Sequence, residues 1–322
     1  TRNPRYWRAG LPYLDEITYR PIPDTVSREE SLVAGTVDLL HSSNTQNVVD
    51  LMHRAGFTQV DDLHATSPPG QHCVMLNTAV APTNDIRVRK ALALATDAQR
   101  IIDVIYSGLT PPSNGPFAPG SPWYGPTGYP SYDPSGARAL LRGYRADGGK
   151  ASLTLGAVAT SSALDTVELI QAMWEQVGIK VTLSSFEQAT LIENAVLGRF
   201  QAYLWRDFEA ADPDGIATSW RSADSRPPGS DALNFARNSD PLIDSALQRG
   251  RTSSTNGARA AAYQEVARRL AVDLPYVWLT RNVWIVAAGP GVMGLTDPAL
   301  PGGGPALDML AGVIWPSNLW RV

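Results

Sequence analysis

The strongest constraint on the fold lies in residues 152–186. Ser152 to Val158 (SLTLGAV) reads as a strand. Ser162 to Val177 then puts Leu169, Ile170, Met173, Trp174 and Val177 on one side of a helix. Gly178 stops that helix, and IKVTLSSF (179–186) is the next strand. A helix between two strands is too long for a hairpin, so the strands enter a sheet by a crossover and pair parallel. The chain is therefore built as α/β.

The same alternation runs through the rest. Gln188 to Leu197 is a predicted helix stopped by Gly198, and Phe200 to Trp205 a strand. Asp15 to Pro21 (DEITYRP) alternates and reads as a strand. A short helix capped by Asp24 or Thr25 follows it, with Leu32 and Val33 inward, and then a strand over Val37 to Leu40. That order predicts a second strand–helix–strand unit with parallel pairing. Gln46 to Ala55 is a predicted helix; Phe57 to Leu63 and His72 to Asn77 are predicted strands. Asp240-Pro241 opens one helix, and Asn256 a longer one to about Val272 with Tyr263, Val266 and Leu270 inward. Tyr276 to Leu279 and Val283 to Ala287 read as strands, and residues 222–231 as an exposed loop.

Pro82 to Tyr144 has firm local signals. Asn84 or Asp85 can cap a helix whose inner face is Val88, Ala91, Leu92 and Ala95. Asp97 can cap a second with Ile101, Ile102 and Ile105 inward, and Gly108 suits its end. Asp133-Pro134 is a cap followed by proline at the first helical position, where a missing N–H costs nothing.

Function classes can be narrowed from the totals. A chain of 322 residues with 43% hydrophobic and 18% charged residues is globular and long enough for two domains. A net charge of −4 gives no reason to expect nucleic acid or an anionic membrane as partner. No apolar run is long enough to span a bilayer. Cys73 is the only cysteine, so no internal disulfide or cysteine metal site forms; its neighbours HCVMLNT read as a buried strand. His41, His53, His64 and His72 show no i,i+3 or i,i+4 pair, and no nucleophile elbow, phosphate loop or dinucleotide motif occurs. Nothing points to an enzyme, a metal or a cofactor.

Five motifs follow one another in order: Asn77-Thr78, DIRVRKAL (85–92), ATDAQR (95–100), GLTPPSNGP (108–116) and YDPSGARALL (132–141). Together they closely resemble the central signature of the family 5 extracellular solute-binding proteins, the peptide- and nickel-binding receptors of ABC importers. The tail matches too, through Arg259, Tyr263, Leu270, Asp273 and Pro275. The resemblance implies the two-lobed, class II periplasmic-binding-protein fold, with a partial first lobe at 1–72 plus 286–322 and a second lobe at 73–285. Residues 70–80 would be a hinge. It implies extracytoplasmic capture of a small solute, a peptide by preference, through lobe closure, with a membrane permease as partner. A nickel chelate, sugar or opine is the alternative solute, and an enzyme or scaffold on this fold the more distant alternative. The opening TRNPRYWRAGLPYLDEI is similar to a segment inside mature family members. A C-terminal portion of a longer, lipid-anchored receptor is therefore expected, with an unpaired first-lobe sheet edge that invites self-association.

Candidate ligand contacts come from the same resemblance joined to residue chemistry. Trp205, Trp220, Trp123, Tyr124, Trp278 and Trp284 lie in or beside loops and strand ends, where aromatic walls suit a cleft and core packing is equally open. Peptide-binding members use an acidic residue in the segment corresponding to 205–220 to pair with the ligand's α-amino group. Alignment on Trp205 favours Asp207; alignment on Asp212-Pro213 favours Glu209. Asp212 belongs to the same loop, in a turn, and Asp38 matches a turn residue that faces the cleft in two-lobed receptors. Arg87 and Arg89 could hold a carboxylate, but their recurrence whatever the ligand implies a structural role.

Overall fold

The computed structural model describes residues 1–43, 56–61, 70–207, 210, 212–306, 308–309 and 312–322. The chain divides into a smaller unit, Thr1–Pro69 with Asn282–Val322, and a larger one, Gly70–Arg281. The larger unit starts a few residues before the expected second lobe, 73–285, and ends a few residues short of it. The reason is the pairing of Gln71 with Arg281, which starts one strand of the larger sheet and ends another.

In chain order the helices are α1 (Thr25–Val33), α2 (Ile86–Ala95), α3 (Ala98–Ile105), α4 (Pro134–Ala146), α5 (Ser161–Gln176), α6 (Gln188–Val196), α7 (Pro241–Thr252) and α8 (Asn256–Asp273). The strands are β1 (Leu39–Ser42), β2 (Thr58–Asp61), β3 (Gln71–Leu76), β4 (Ser152–Val158), β5 (Lys180–Phe186), β6 (Ala202–Arg206), β7 (Tyr276–Arg281), β8 (Ile285–Ala288), β9 (Val292–Met293) and β10 (Trp320–Arg321).

The larger unit holds a five-stranded sheet in the order β5-β4-β6-β3-β7. β4 runs parallel to β5 and to β6, so the crossover through α5 is present as its sequence demands. β3 is antiparallel to both β6 and β7. Its side chains alternate between two cores: Val74 and Leu76 on one face with Trp174 and Leu279, Cys73 and Met75 on the other with Tyr203, Tyr263 and Trp278. Burial on both faces explains why this strand carries an almost unbroken apolar run. Trp174, fully buried in α5, still satisfies its indole by donating to Thr96 Oγ1 at 2.9 Å.

The helix starts follow the local signals. Asp85 accepts from the Arg87 N–H at 2.8 Å, Asp97 from Arg100 at 3.1 Å, Asp133 from Gly136 at 2.9 Å and Asp240 from Leu242 at 2.8 Å. Each such cap contributes about 1 kcal/mol. The two arginines of α2 differ in role. Arg87 pairs with Asp85 and Asp147 near the surface. Arg89 is buried and donates to the carbonyls of Asp273, Thr83 and Asn84 at 2.7, 2.9 and 3.0 Å, tying the start of α2 to the end of α8.

β7 is the outer strand of the sheet. The proline-rich segment after α3 covers it: the Arg281 N–H donates to the Pro111 carbonyl at 2.9 Å and the Ser113 N–H to the Leu279 carbonyl at 3.2 Å. β7 also carries a register shift. Thr280 pairs with His72 but Trp278 pairs with Cys73, so Leu279 has no partner of its own in β3.

In the smaller unit β8 lies between β1 and β2 and runs antiparallel to both. This corrects the expected parallel strand–helix–strand unit at its start. Residues 15–21 form no strand, and Ile17 and Tyr19 are exposed. Their alternation has no neighbouring strand to pair with among the described residues. α1 is present and capped by Asp24, which accepts from the Ser27 N–H at 2.8 Å. The predicted helix at 46–55 lies outside the described residues. β9 and β10 form a separate two-stranded ribbon. No helix among the described residues is long and apolar enough to cross a membrane.

Candidate functional site

The loop that follows β6 is placed by that strand's pairing with β3. Trp205 stands opposite Cys73, and the Asp207 N–H continues the ladder by donating to the Gln71 carbonyl at 2.9 Å. Alternation along β6 then puts Tyr203, Trp205 and Asp207 on the face that holds Cys73 and Met75. Phe235 meets Trp205 edge to face, with ring centroids 5.6 Å apart.

These residues enclose a hollow of about 30 Å³ lined by Met75, Trp205, Asp207, Trp220, Phe235 and Tyr276. That is room for one or two water molecules. Asp207 Oδ2 is sealed from solvent and has no hydrogen-bond partner among the described residues. Burial alone pushes its carboxyl up to about 7. Burial also pushes the Tyr276 hydroxyl upward, and the Asp207 charge adds to it. The hollow thus holds one acid and, among the described residues, no cation, and is walled by aromatic rings.

The other expected site residues fall in different places. Glu209 lies outside the described residues. Asp212 accepts from the Asp214 N–H at 3.0 Å, opening a short 3-10 helix over Pro213–Ser219, and pairs with Arg259 at 2.6 Å. Burial raises its carboxyl, but the Arg259 guanidinium and the Asp214 N–H outweigh that and hold it below the usual range. Its charge is already spent within the fold. Trp220 is 2% exposed and packs edge-on to Phe117 at 6.1 Å, so only its buried side borders the hollow. Trp278 is 1% exposed inside the core and as placed presents no surface to a solute. Trp123 is likewise buried, edge-on to Tyr263 at 5.3 Å. Asp38 belongs to the smaller unit, where it is exposed and pairs with Arg321 at 2.9 Å. Trp284, in the same unit, stacks on His41 at 4.9 Å.

Sequence reasoning missed Arg281. The predicted strand ends at Leu279, but β7 runs on to Arg281, which is 3% exposed. Its Nε and Nη1 have no hydrogen-bond partner among the described residues. Burial pushes its guanidinium down to about 10, with the nearby Tyr124 hydroxyl opposing the shift. A charge at the end of the apolar run YVWLTR was the available signal. Among the described residues no group of three or more His, Cys, Asp or Glu side chains is arranged to hold a metal ion.

Residues 1–228 match the family model described as the middle region of bacterial extracellular solute-binding proteins, family 5. The nickel-binding periplasmic protein of Escherichia coli K12 is 30% identical over 302 residues, covering 88% of this chain and 56% of that protein. The chain therefore spans little more than half the length of that relative. Among solved structures, the periplasmic binding protein DppA of Helicobacter pylori, in complex with the peptide STSA, superposes with a TM-score of 0.82 at 22% identity, over 99% of this chain and 59% of the other. The binding protein AgaA of A. tumefaciens R10, in complex with agropinic acid, gives a TM-score of 0.79 at 23% identity, over 98% and 62%.

Proposed function

Because the chain belongs to the family 5 bacterial extracellular solute-binding proteins, we propose that the whole protein captures a solute outside the cytoplasm for an ABC permease, and that this solute carries an ammonium group, as a peptide does at its N-terminus. The fold is that of the periplasmic binding proteins. The observation that carries the proposal is Asp207, a part-buried carboxylate with no cation beside it among the described residues. An acid left unpaired in an aromatic hollow weakens the fold unless something arrives to neutralise it. An ammonium does so, and the low dielectric of the site strengthens the pair. Trp205 and Phe235 offer ring surface beside it, which suits a cation.

In this reading the solute stabilises a closed form of the receptor in proportion to its preference for that form over the open one, and the permease reads the closed form. Asp207 supplies part of the preference. The nickel-binding relative and the peptide- and agropinic-acid-bound structures differ in solute, so the family alone does not choose among them; the unpaired acid is what favours an amine. Calorimetric titration of the intact protein with Ala-Ala-Phe and with its N-acetylated form tests this. The free amine should bind at least tenfold tighter, and the Asp207→Asn variant should lose that preference. Equal affinity of the intact protein for the two peptides would sink the proposal.

A further inference from the structure

Arg237 is a buried cation without an anion among the described residues. It is 4% exposed, and burial alone lowers its guanidinium, with no charged neighbour opposing the shift. Its backbone is left-handed as well, with φ at +60°, where a residue bearing a Cβ is uncommon. Two unfavourable features at one residue need a reason.

Carbonyls hold the guanidinium. Nη1 donates to Asn234 at 3.2 Å, and Nη2 donates to Ser230 at 3.1 Å and to Val196 at 2.6 Å. Val196 is the last residue of α6, where carbonyls lack helical partners and the helix dipole is negative. That helix end takes the place of a carboxylate. Gly198 makes the approach possible, since a Cβ there would stand 2.9 Å from Nη2 and 3.1 Å from Cζ.

The guanidinium closes residues 230–237 into a loop, and Leu233 and Phe235 within that loop line the hollow beside Asp207. The neighbours of Phe235 are fixed on both sides. Asn234, fully buried, donates through Nδ2 to the Asn238 carbonyl at 2.8 Å. The Ala236 carbonyl accepts from the Thr78 N–H at 2.8 Å. Phe235 is thereby held edge to face against Trp205. Arg237 does not itself line the hollow.

We infer that Arg237 is a positioning residue: by tying residues 230–237 to the end of α6 it makes Phe235 a fixed wall, and the hollow then admits a primary ammonium and excludes one carrying an added methyl group. The inference rests on the reading of Asp207 given above and adds a limit on size. The hollow, of about 30 Å³, has room for one or two water molecules, and an ammonium is of that size. A methyl group enlarges the nitrogen and leaves its charge in place. A close-packed wall that cannot turn aside answers added volume with strain.

Two measurements on the intact protein test this. The first needs no solute. With 4-fluorophenylalanine incorporated, the fluorine resonance of Phe235 is the one lost in Phe235→Leu. Arg237→Gly, in which the backbone accepts a positive φ without strain, should shift or broaden that resonance. The resonance of Phe57, in the smaller unit, should stay in place. The second measurement compares Ala-Phe with its N-methyl form by calorimetry. The wild type should bind Ala-Phe about tenfold tighter or better. Arg237→Gly and Phe235→Ala should each cut that preference to about threefold or less, and the double variant should match Phe235→Ala alone, as coupled residues do. A merely structural loss would weaken both peptides alike and keep their ratio. If Arg237→Gly does not fold, Arg237→Lys, which keeps the charge without the planar fork, takes its place with the same expectation. An unmoved Phe235 resonance overturns the inference whatever the peptides do, and so does a moved resonance with the preference intact. Equal binding of both peptides by the wild type overturns the size limit and leaves Asp207 its role. Binding of neither overturns the reading of Asp207 and the inference with it.

Discussion

Asp207 and Arg281 stand on either side of Gln71, one accepting its place in the sheet from the Gln71 carbonyl and the other from register with the same residue. They carry opposite charges, share a face and are not paired with each other. At about 10 Å and an effective dielectric near 20, their mutual attraction is about 2 kcal/mol, less than the several kcal/mol that each loses on leaving water. Neither is there for stability. Each instead weakens the fold, since neither has an ion-pair partner among the described residues.

Asp207 makes stability depend on pH in a defined direction. Its carboxyl is raised from 3.8 to about 7, so the native state holds its proton more tightly than the unfolded chain does. The resulting contribution to stability is full below about 4 and disappears as pH rises through 7. Asp207→Asn should therefore raise the melting temperature at pH 8 by roughly 5–10 °C, the equivalent of about 4 kcal/mol, and leave it nearly unchanged at pH 4. Thermal scans at the two pH values check this; an equal effect at both would mean that burial does not shift the group.

Affinity for an amine should be bell-shaped in pH. Below about 7 the carboxyl of Asp207 is protonated in the empty site and binding weakens about tenfold per unit. Above about 8 a peptide α-amine loses its own proton, with the same consequence. Titrations with Ala-Phe from pH 5 to 9 should peak between these limits. A flat profile below 7 would exclude Asp207 as the contact.

Arg87 and Arg89 should separate sharply. Arg87 lies about a third exposed in surface pairs, and Arg87→Ala should cost no more than about 1 kcal/mol. Arg89→Ala strips three buried carbonyls of their donor and should cost about 3–5 kcal/mol. Urea unfolding of both variants gives the comparison. Similar losses would show that the join between α2 and α8 is not made by Arg89.

Asp212 is expected to behave as a fold residue. Asp212→Ala removes the 3-10 cap and the Arg259 pair, for a loss of about 1–2 kcal/mol in urea unfolding. Peptide affinity should change less than threefold. A tenfold loss of affinity without loss of stability would return Asp212 to the binding site.

Much of the larger unit is legible in its residues because the signals are local. A cap acts within three residues, and Asp85, Asp97, Asp133 and Asp240 all sit where their side chains reach the helix N–H groups ahead of them. The strand pair around α5 follows from length and periodicity alone. DEITYRP shows the limit of that approach, since alternation makes a strand only where another strand lies beside it. Asp212 shows a second limit: its partner Arg259 comes 47 residues later, and no spacing rule connects them. Arg281 shows a third, because its direction depends on a register shift that no residue in YVWLTR announces.

That shift at Leu279 has a consequence of its own. It makes the address of a charge a matter of how many residues precede it. Were Leu279 paired in register with β3 and not bulged out, the same arginine, unchanged, would stand on the opposite face of the sheet, among Val74 and Leu76. One change of register in this strand is thus enough to re-aim a charge from one core to the other with no side chain altered.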